Sequence, residues 1–377
     1  MKEKKRKAIV IGIDHHNTLG AVRSLGECGI KSDLILEEQI KYSFISKSKY
    51  IRKCIPLING SLVDTLLITY KSEKEKPIII CTTDTSIDII DQHYNELNTY
   101  FICPNAGNQG NIHKLMNKDY TIEIAKRCGL ITPSSICLSR DSNIPKIMFY
   151  PCYVKTIDSI CGSKADSSLC YDEKDLRLAL KKNINYQVQE YIDKDTELLI
   201  NGVSLNKGKV SYFPLVIEKI RQYPKGVGAC TYCKVDNIEK YPYINIFAIK
   251  KFLEEIKYEG IFSIEFIVKN NKAYFLEINL RNDGTAYIPT IVGFKLHYLW
   301  YCYAAWTSIP KLTIDNDVPY FFSSDVNDIR HVLEGRLSFL KWVTDTLRAR
   351  TYLLFNKHDI KPWLYFYINI IRRKFIK

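Results

Sequence analysis

The chain has 377 residues and a formal net charge of +13, with 46% hydrophobic and 25% charged residues. That length allows two or three domains around a sizeable core, and the balance is ordinary for a soluble globular protein. The positive charge favours anionic partners: nucleotide, nucleic acid or acidic lipid. No apolar run approaches the ~20 residues that a membrane helix needs. Twelve cysteines without regular spacing, and a basic start at Lys2–Lys7 that is no secretory signal, predict reduced thiols in a cytoplasm. Cys230 and Cys233 form one Cys-x-x-Cys with no suitable second pair, so a four-ligand zinc site is not expected.

In chain order, residues 8–13 (Ala-Ile-Val-Ile-Gly-Ile) read as a buried parallel strand. A helix from Thr18 to Cys28 follows, stopped by Gly29, then a strand from Asp33 to Leu36. This opening is that of a nucleotide-type α/β fold, although Gly12, Gly20 and Gly26 lack the dinucleotide spacing. Further strands are predicted at Ile78–Cys81 and Tyr100–Cys103, with a helix near Leu62–Tyr70. Asp84, just past a strand end, reads as a cap for the next helix or as a substrate contact. An Asn- and Gly-rich boundary falls near Pro104–Gly110, and a helix runs from Asn117-Lys118-Asp119 through Lys126. Strands follow at Phe149–Lys155 and Tyr186–Ile192, then a basic, glycine-bearing loop at Ile220–Gly228. Ile246–Ile256 is a core-facing helix.

The most informative stretch is the predicted hairpin from Ile261 to Arg281. On its first arm Phe262, Ile264, Phe266 and Val268 share an apolar face and Glu265 points the other way. On its second arm Tyr274, Leu276, Ile278 and Leu280 are apolar, while Glu277, Asn279 and Arg281 line the opposite face. A two-residue turn at Asn270-Asn271 would set Glu265 opposite Leu276. A three-residue loop, Lys269–Asn271, sets it opposite Phe275 and diagonal to Glu277, and is the expected connection. Two carboxylates and an amide oxygen without a lysine among them repel, unless a hard cation sits between them. Mg²⁺ prefers oxygen ligands and shares its shell with phosphates; Arg281 suits a phosphate oxygen. The plain alternative is a solvated face on an edge hairpin.

Glu265, followed by Glu277-Ile278-Asn279-Leu280-Arg281, resembles the metal-binding end of the ATP-grasp family. The resemblance extends over about residues 8–305 and implies an α/β fold in three parts. These are an N-terminal Rossmann-like pre-ATP-grasp domain (1–110), a two-lobed α+β ATP-grasp domain (111–310) and a basic C-terminal helical extension (311–377). The small lobe would span about 113–190 and the large lobe about 191–310. It implies ATP with Mg²⁺ (or Mn²⁺) as cofactors, the metal on Glu265, Glu277 and Asn279. Lys118 and Lys155 would hold phosphates, and the loop Asp158–Lys164, with Ser163, takes the place of the glycine-rich flap, although only Gly162 is present there. Gln189, Glu190, Tyr191 and Ile192 would form the hinge that reads adenine, and Glu197 would bind ribose. Arg281 and Arg221 are the catalytic candidates, Arg221 for an acyl-phosphate. The activity implied is an ATP-dependent carboxylate–amine ligase, its carboxylate an amino acid and its amine on a cell-envelope or polysaccharide precursor. No nucleophilic side chain is required.

Beyond Lys311 the chain changes character: from Arg348 on, eight Lys/Arg face one acid, Asp359. Within residues 362–377, Trp363–Ile371 is apolar on almost all sides and is followed by Arg372-Arg373-Lys374. They either lie on an anionic membrane surface, at its inner face, or pack as a terminal helix on the body. No RNA-binding motif accompanies them, so no nucleic acid partner is expected. Two other functions stay open at this level: a non-catalytic ATP-binding protein, and a basic protein bound to membrane or nucleic acid.

Overall fold

In the computed structural model, which describes residues 6–38, 41–145, 148–157, 167–181, 184–226, 228–314 and 318–375, the chain builds three sheets. The first is parallel. It holds β1 (Ala8–Gly12), β2 (Ser32–Leu36), β3 (Ile51–Ile55) and β4 (Ile78–Cys81) in the order β3-β2-β1-β4. β1, β2 and β4 are buried at every position; β1 and β4 carry no charged or hydroxyl side chain, whereas β2 also buries Ser32 and Asp33, the latter accepting from Tyr70 Oη. Helix α1 (His16–Gly26) packs Ala21, Val22 and Leu25 on Val10 and Ile80 of one face. Helices α2 (Leu62–Tyr70) and α3 (Asp84–Gln92) cover Ile9, Ile11 and Ile79 on the other, with the short α4 (Tyr94–Leu97) after them. Two expectations change here. Tyr100–Cys103 joins the sheet only through one bridge, Ile102 to Ile78, and the half-exposed β3, too polar to read as a strand, closes the sheet instead.

Helices α5 (Asn111–Leu115) and α6 (Lys118–Arg127) lead to the second sheet. Its strands are β5 (Ser135–Leu138), β6 (Cys152–Thr156), β7 (Ser168–Cys170) and β8 (Tyr186–Glu190), antiparallel in the order β5-β8-β6-β7, with α7 (Glu173–Ala179) after β7. Period-two alternation divides its faces. Val154, Tyr186, Val188 and Leu176 form a small core, while the pairs Lys155–Gln187 and Tyr153–Gln189 stand on the polar side.

The third sheet has eight strands. They are β9 (Thr196–Leu205), β10 (Val210–Tyr212), β11 (Leu215–Tyr223), β12 (Ala229–Asn237), β13 (Gly260–Lys269), β14 (Lys272–Asn279), β15 (Tyr320–Ser323) and β16 (Ala349–Tyr352). The path is β14-β13-β9-β11-β12-β15-β16, with β10 beside β9. Helix α8 (Ile246–Glu255) packs Ala248, Ile249 and Phe252 under one face, and α9 (Leu296–Ala304) packs Leu299 and Trp300 on the other. Residues 311–377 are therefore more than a helical extension. Their β15 and β16 lengthen this sheet, and α10 (Arg330–Leu333), α11 (Phe339–Arg348) and α12 (Lys361–Phe375) surround them. Arg23 of α1 anchors the segment: buried, it donates to Asp359 Oδ2 at 3.0 Å and to the carbonyls of Leu354 and Asp359 at 2.8 Å. α12 packs one side, with Phe366 edge-on to Phe44 at 5.3 Å, and leaves Leu364, Ile368 and Ile371 exposed.

A single apolar core joins the parallel sheet to β13 and β14 through α6 and α8. Phe275 at its centre touches Phe252 and Phe266 with ring centroids 5.4 and 6.0 Å away. Burying such a side chain is worth about 1.5–3 kcal/mol. This packing fixes α6, and Lys118 at its first turn, against the β14 edge of the third sheet.

Candidate functional site

The hairpin connection differs from the expected three-residue loop. Asn270 and Asn271 make a two-residue turn, both with positive φ (50° and 56°), and Lys269 pairs with Lys272. Such turns need left-handed backbone at both central residues, which Asn tolerates. Asp195 pins the tip, accepting from Asn270 N at 2.8 Å and Lys269 Nζ at 3.1 Å. That turn alone would set Glu265 against Leu276. A β-bulge at Leu276 shifts the register between Phe266 and Glu265, so that Glu265 stands directly opposite Glu277 and Ser263 opposite Asn279. The two-residue turn places Tyr274 off the core face, where Ala273 and Phe275 take its place, and the bulge brings Ile278 and Leu280 back onto it. The two carboxylates are therefore cross-strand neighbours rather than diagonal ones.

Around them the three sheets contribute one residue after another. β9 carries Glu197 and β11 carries Lys219, paired across the two strands. Lys219 Nζ donates to Glu197 Oε2 at 2.7 Å and reaches Glu265 Oε2 at 3.5 Å. Burial works against its charge, but Glu265 and Glu197 outweigh this and hold its pKa above the usual lysine range. Lys194 also bonds Glu197. Despite burial, Lys219 and Lys194 hold the Glu197 carboxyl below its ordinary pKa. Lys219 thus breaks the expectation of a carboxylate face without lysine. Its signal was the alternation Leu215, Ile217, Lys219, an apolar face whose third member is a cation.

From the second sheet, Lys155 stands in the field of Glu277, Lys118, Glu265 and Asp119. Burial lowers its pKa although the carboxylates oppose this. Lys118 Nζ donates to Thr156 O at 3.3 Å, and Lys118, Glu277, Asn279 and Asp84 line one crevice of about 20 Å³. Gln189 is buried on the polar face, and its Nε2 finds no acceptor among the described residues. Glu190 is placed elsewhere: its exposed carboxylate accepts from Ser134 N at 3.3 Å, and it pairs with Cys152 on the side away from Lys155. Tyr191 is exposed and Ile192 half-buried, just past the strand end. Ser163 lies outside the described residues.

Arg281 donates from Nε and Nη2 to both oxygens of Asp84, at 2.7 and 2.8 Å, and from Nη2 to Asn279 Oδ1 at 3.3 Å. Burial costs its charge, but Asp84 more than compensates and raises its pKa. Asp84 is not the helix cap. Thr83 is, in a reciprocal capping box with Ser86. Arg221 has a different setting from the one expected. It donates bidentately to Asp328 at 3.0 and 2.7 Å and to Asp345 at 2.6 Å, and lies 4.2 Å above the Tyr232 ring. It borders a cavity of about 600 Å³ lined also by Glu197, Lys219, Gln222, Lys225, His331 and Arg336.

Two carboxylates and an amide oxygen suit a hard cation that completes its shell with phosphate oxygens and water. Among the described residues no three His, Cys, Asp or Glu side chains form a self-sufficient metal cage. The unpartnered Gln189 donor and the paired lysines beside those oxygens fit a nucleotide triphosphate.

No family model matches the chain. Three curated relatives do. The D-alanine–D-alanine ligase of Fusobacterium nucleatum is 27% identical over 187 residues, 48% of this chain and 62% of that protein. The formate-dependent phosphoribosylglycinamide formyltransferase of Wigglesworthia glossinidia brevipalpis is 27% identical over 210 residues, 52% and 51%. The D-aspartate ligase of Enterococcus faecium is 24% identical over 253 residues, 60% and 58%. The chain thus spans between half and two thirds of each relative. Among solved structures, an L-amino acid ligase from Bacillus licheniformis superposes with a TM-score of 0.63 at 15% identity, covering 80% of this chain and 75% of that one. An N5-carboxyaminoimidazole ribonucleotide synthetase in complex with ADP gives 0.67 at 12% identity, covering 89% and 86%.

Proposed function

Because the chain belongs to the ATP-grasp superfamily, related to its carboxylate–amine ligases, we propose that it is an ATP-dependent enzyme that joins an amino-acid carboxylate to an amine. The pairing of Glu265 with Glu277, beneath Lys155 and Lys118, is the observation that carries this reading. Residues 1–110 serve as the pre-ATP-grasp domain, 113–190 as the small lobe and 191–310 as the large lobe. Glu265, Glu277 and Asn279 hold Mg²⁺ (or Mn²⁺), which when bound neutralises β- and γ-phosphate charge. Lys118 and Lys155 bind the phosphates, Gln189 and the following backbone face the base, and Glu197 takes the ribose.

A carboxylate is a poor electrophile, so it must be activated. One of its oxygens attacks the γ-phosphorus, the bond to the ADP oxygen breaks, and an acyl-phosphate forms. The amine nitrogen then attacks the acyl carbon, phosphate leaves with the C–O electron pair, and the nitrogen loses a proton. Arg281 offsets charge on the tetrahedral intermediate. The 600 Å³ cavity beside Lys219 has the size of a small-molecule site and would admit an amine on a peptide, sugar or cell-envelope precursor. No helix among the described residues is long and apolar enough to cross a membrane; peripheral contact through 362–377 is part of this proposal.

The test is ATP-dependent release of ADP and phosphate across pairs of amino acids and amines. Glu277→Ala and Arg281→Ala should each lower turnover by roughly a hundredfold or more while circular dichroism stays unchanged. Full activity in both would overturn the reading.

A further inference from the structure

Helix α11 packs with the wrong side outward for a protein surrounded by water. Toward the body it turns Asp345, only 3% exposed, which accepts from Arg221 Nη1 and from Lys341 Nζ at 2.6 Å each. Toward solvent it turns Phe339, Leu340 and Leu347, exposed by 63%, 74% and 78%. At 100° per residue, Phe339, Val343, Leu347 and Leu340 fall in one continuous arc. A surface helix normally buries such an arc and wets its charges. Leu333, at the end of α10, is likewise 78% exposed.

The charge around this arc is one-sided. Residues 330–377 hold eleven Lys/Arg and three acids, Glu334, Asp345 and Asp359. All three acids are taken within the protein: Glu334 by Tyr223 and Arg336, Asp345 by Arg221 and Lys341, and Asp359 by Arg23. The surplus facing outward is cationic. α12 repeats the theme, exposing Leu364, Ile368 and Ile371 at helical spacing ahead of Arg372 and Arg373.

We propose that α11 docks this protein on a bilayer surface rich in anionic phospholipid, with its Phe/Leu arc in the headgroup boundary and the neighbouring lysines and arginines on the lipid phosphates. Apolar insertion combined with basic residues is what holds an interfacial helix on such a surface. A second copy of the chain would bring like charge to like charge, which disfavours it as the occupant. The inference is independent of the ligase reading. It adds to the proposed 362–377 contact a helix that the sequence did not single out.

The full-length chain is sedimented with vesicles of phosphatidylcholine alone and of phosphatidylcholine with phosphatidylglycerol. Binding is expected only to the second, and to weaken with salt. The double variant Leu340→Ser/Leu347→Ser should bind at least about tenfold more weakly while thermal unfolding and ADP release in solution stay unchanged, since both side chains face water. Leu364→Ser/Ile368→Ser is the parallel arm for α12. Three results would overturn the inference: no binding of the parent chain to anionic vesicles, equal binding by the α11 variant, or a dimer in solution that the α11 variant dissolves. Loss of binding in the α12 variant alone would leave 362–377 as the contact and remove α11.

Discussion

Replacing Arg221 by methionine separates its two possible employments. The guanidinium is shared between Asp328 and Asp345, whose side chains are both buried. Asp345 keeps Lys341 at 2.6 Å after the substitution, whereas Asp328 loses both of its charge-assisted bonds. Stranding one buried carboxylate costs about 3–5 kcal/mol, and the lost contact with the Tyr232 face adds about 1 kcal/mol. Against a total stability of about 5–15 kcal/mol this is a large fraction, readable in urea unfolding followed by circular dichroism. Asp328→Asn in the same chain removes the stranded charge and should restore most of the loss. Turnover should return with stability in the double variant. A stability change below about 1 kcal/mol, or a double variant that folds fully yet stays inactive, would refute this account; the second result would return Arg221 to the acyl-phosphate.

Three further outcomes are expected. Burial lowers the pKa of Lys155, so its charge is lost at a lower pH than that of a surface lysine. The KM for ATP should therefore climb on the alkaline side, and the rise should be absent in Lys155→Arg, which stays charged. His297 is buried with a pKa pushed down to about 3, and pairs with Asn282 Oδ1 at 2.6 Å. The unfolded chain takes up its proton first, so this contribution is complete above pH ~6.5 and lost as pH falls toward the folded value: about 2 kcal/mol between pH 7.5 and 5, which His297→Gln should abolish. Lys219→Met leaves Glu265 and Glu197 without their shared ammonium, and unfolding should be easier by about 2–4 kcal/mol. Millimolar Mg²⁺ should recover part of that loss if the cation takes the ammonium's place, and a metal-insensitive deficit would argue against the carboxylate pair as its site.

The sequence made visible whatever depends on local pattern: the buried runs of β1 and β4, the helix at Leu62–Tyr70, and the polar face of Glu277, Asn279 and Arg281. It hid what depends on register and distance. The choice between a two- and a three-residue loop at Asn270 cannot be made from alternation alone, because a bulge at Leu276 resets the parity that alternation measures. The partners of the charged residues are also remote. Asp84 lies 197 positions from Arg281, and Asp328 and Asp345 lie 107 and 124 from Arg221. A lone arginine in a basic loop gives no sign that two carboxylates will close on it. β15 and β16 are four residues each and exist through pairing with β12 and with each other, so propensity has little to grip.

The charges of the site are balanced in pairs that a ligand could replace one for one. Lys219 sits on Glu265, which is proposed to hold Mg²⁺, and Asp84 sits on Arg281, which is proposed to meet the developing negative charge. Lys219 and Arg281 are nearly buried, at 10% and 14% side-chain exposure, and leaving either without a carboxylate would be costly. The internal partners avoid this, and on the proposed reading they also select the ligand. A ligand without a cation leaves Lys219 on Glu265, and one without an anionic group cannot draw Arg281 from Asp84. Exchange of pair for pair changes the electrostatic energy less than filling an empty charged cleft would, so on the proposed reading net affinity would come from the remaining contacts: Lys118 and Lys155, the Gln189 amide, and the cavity beside Arg336.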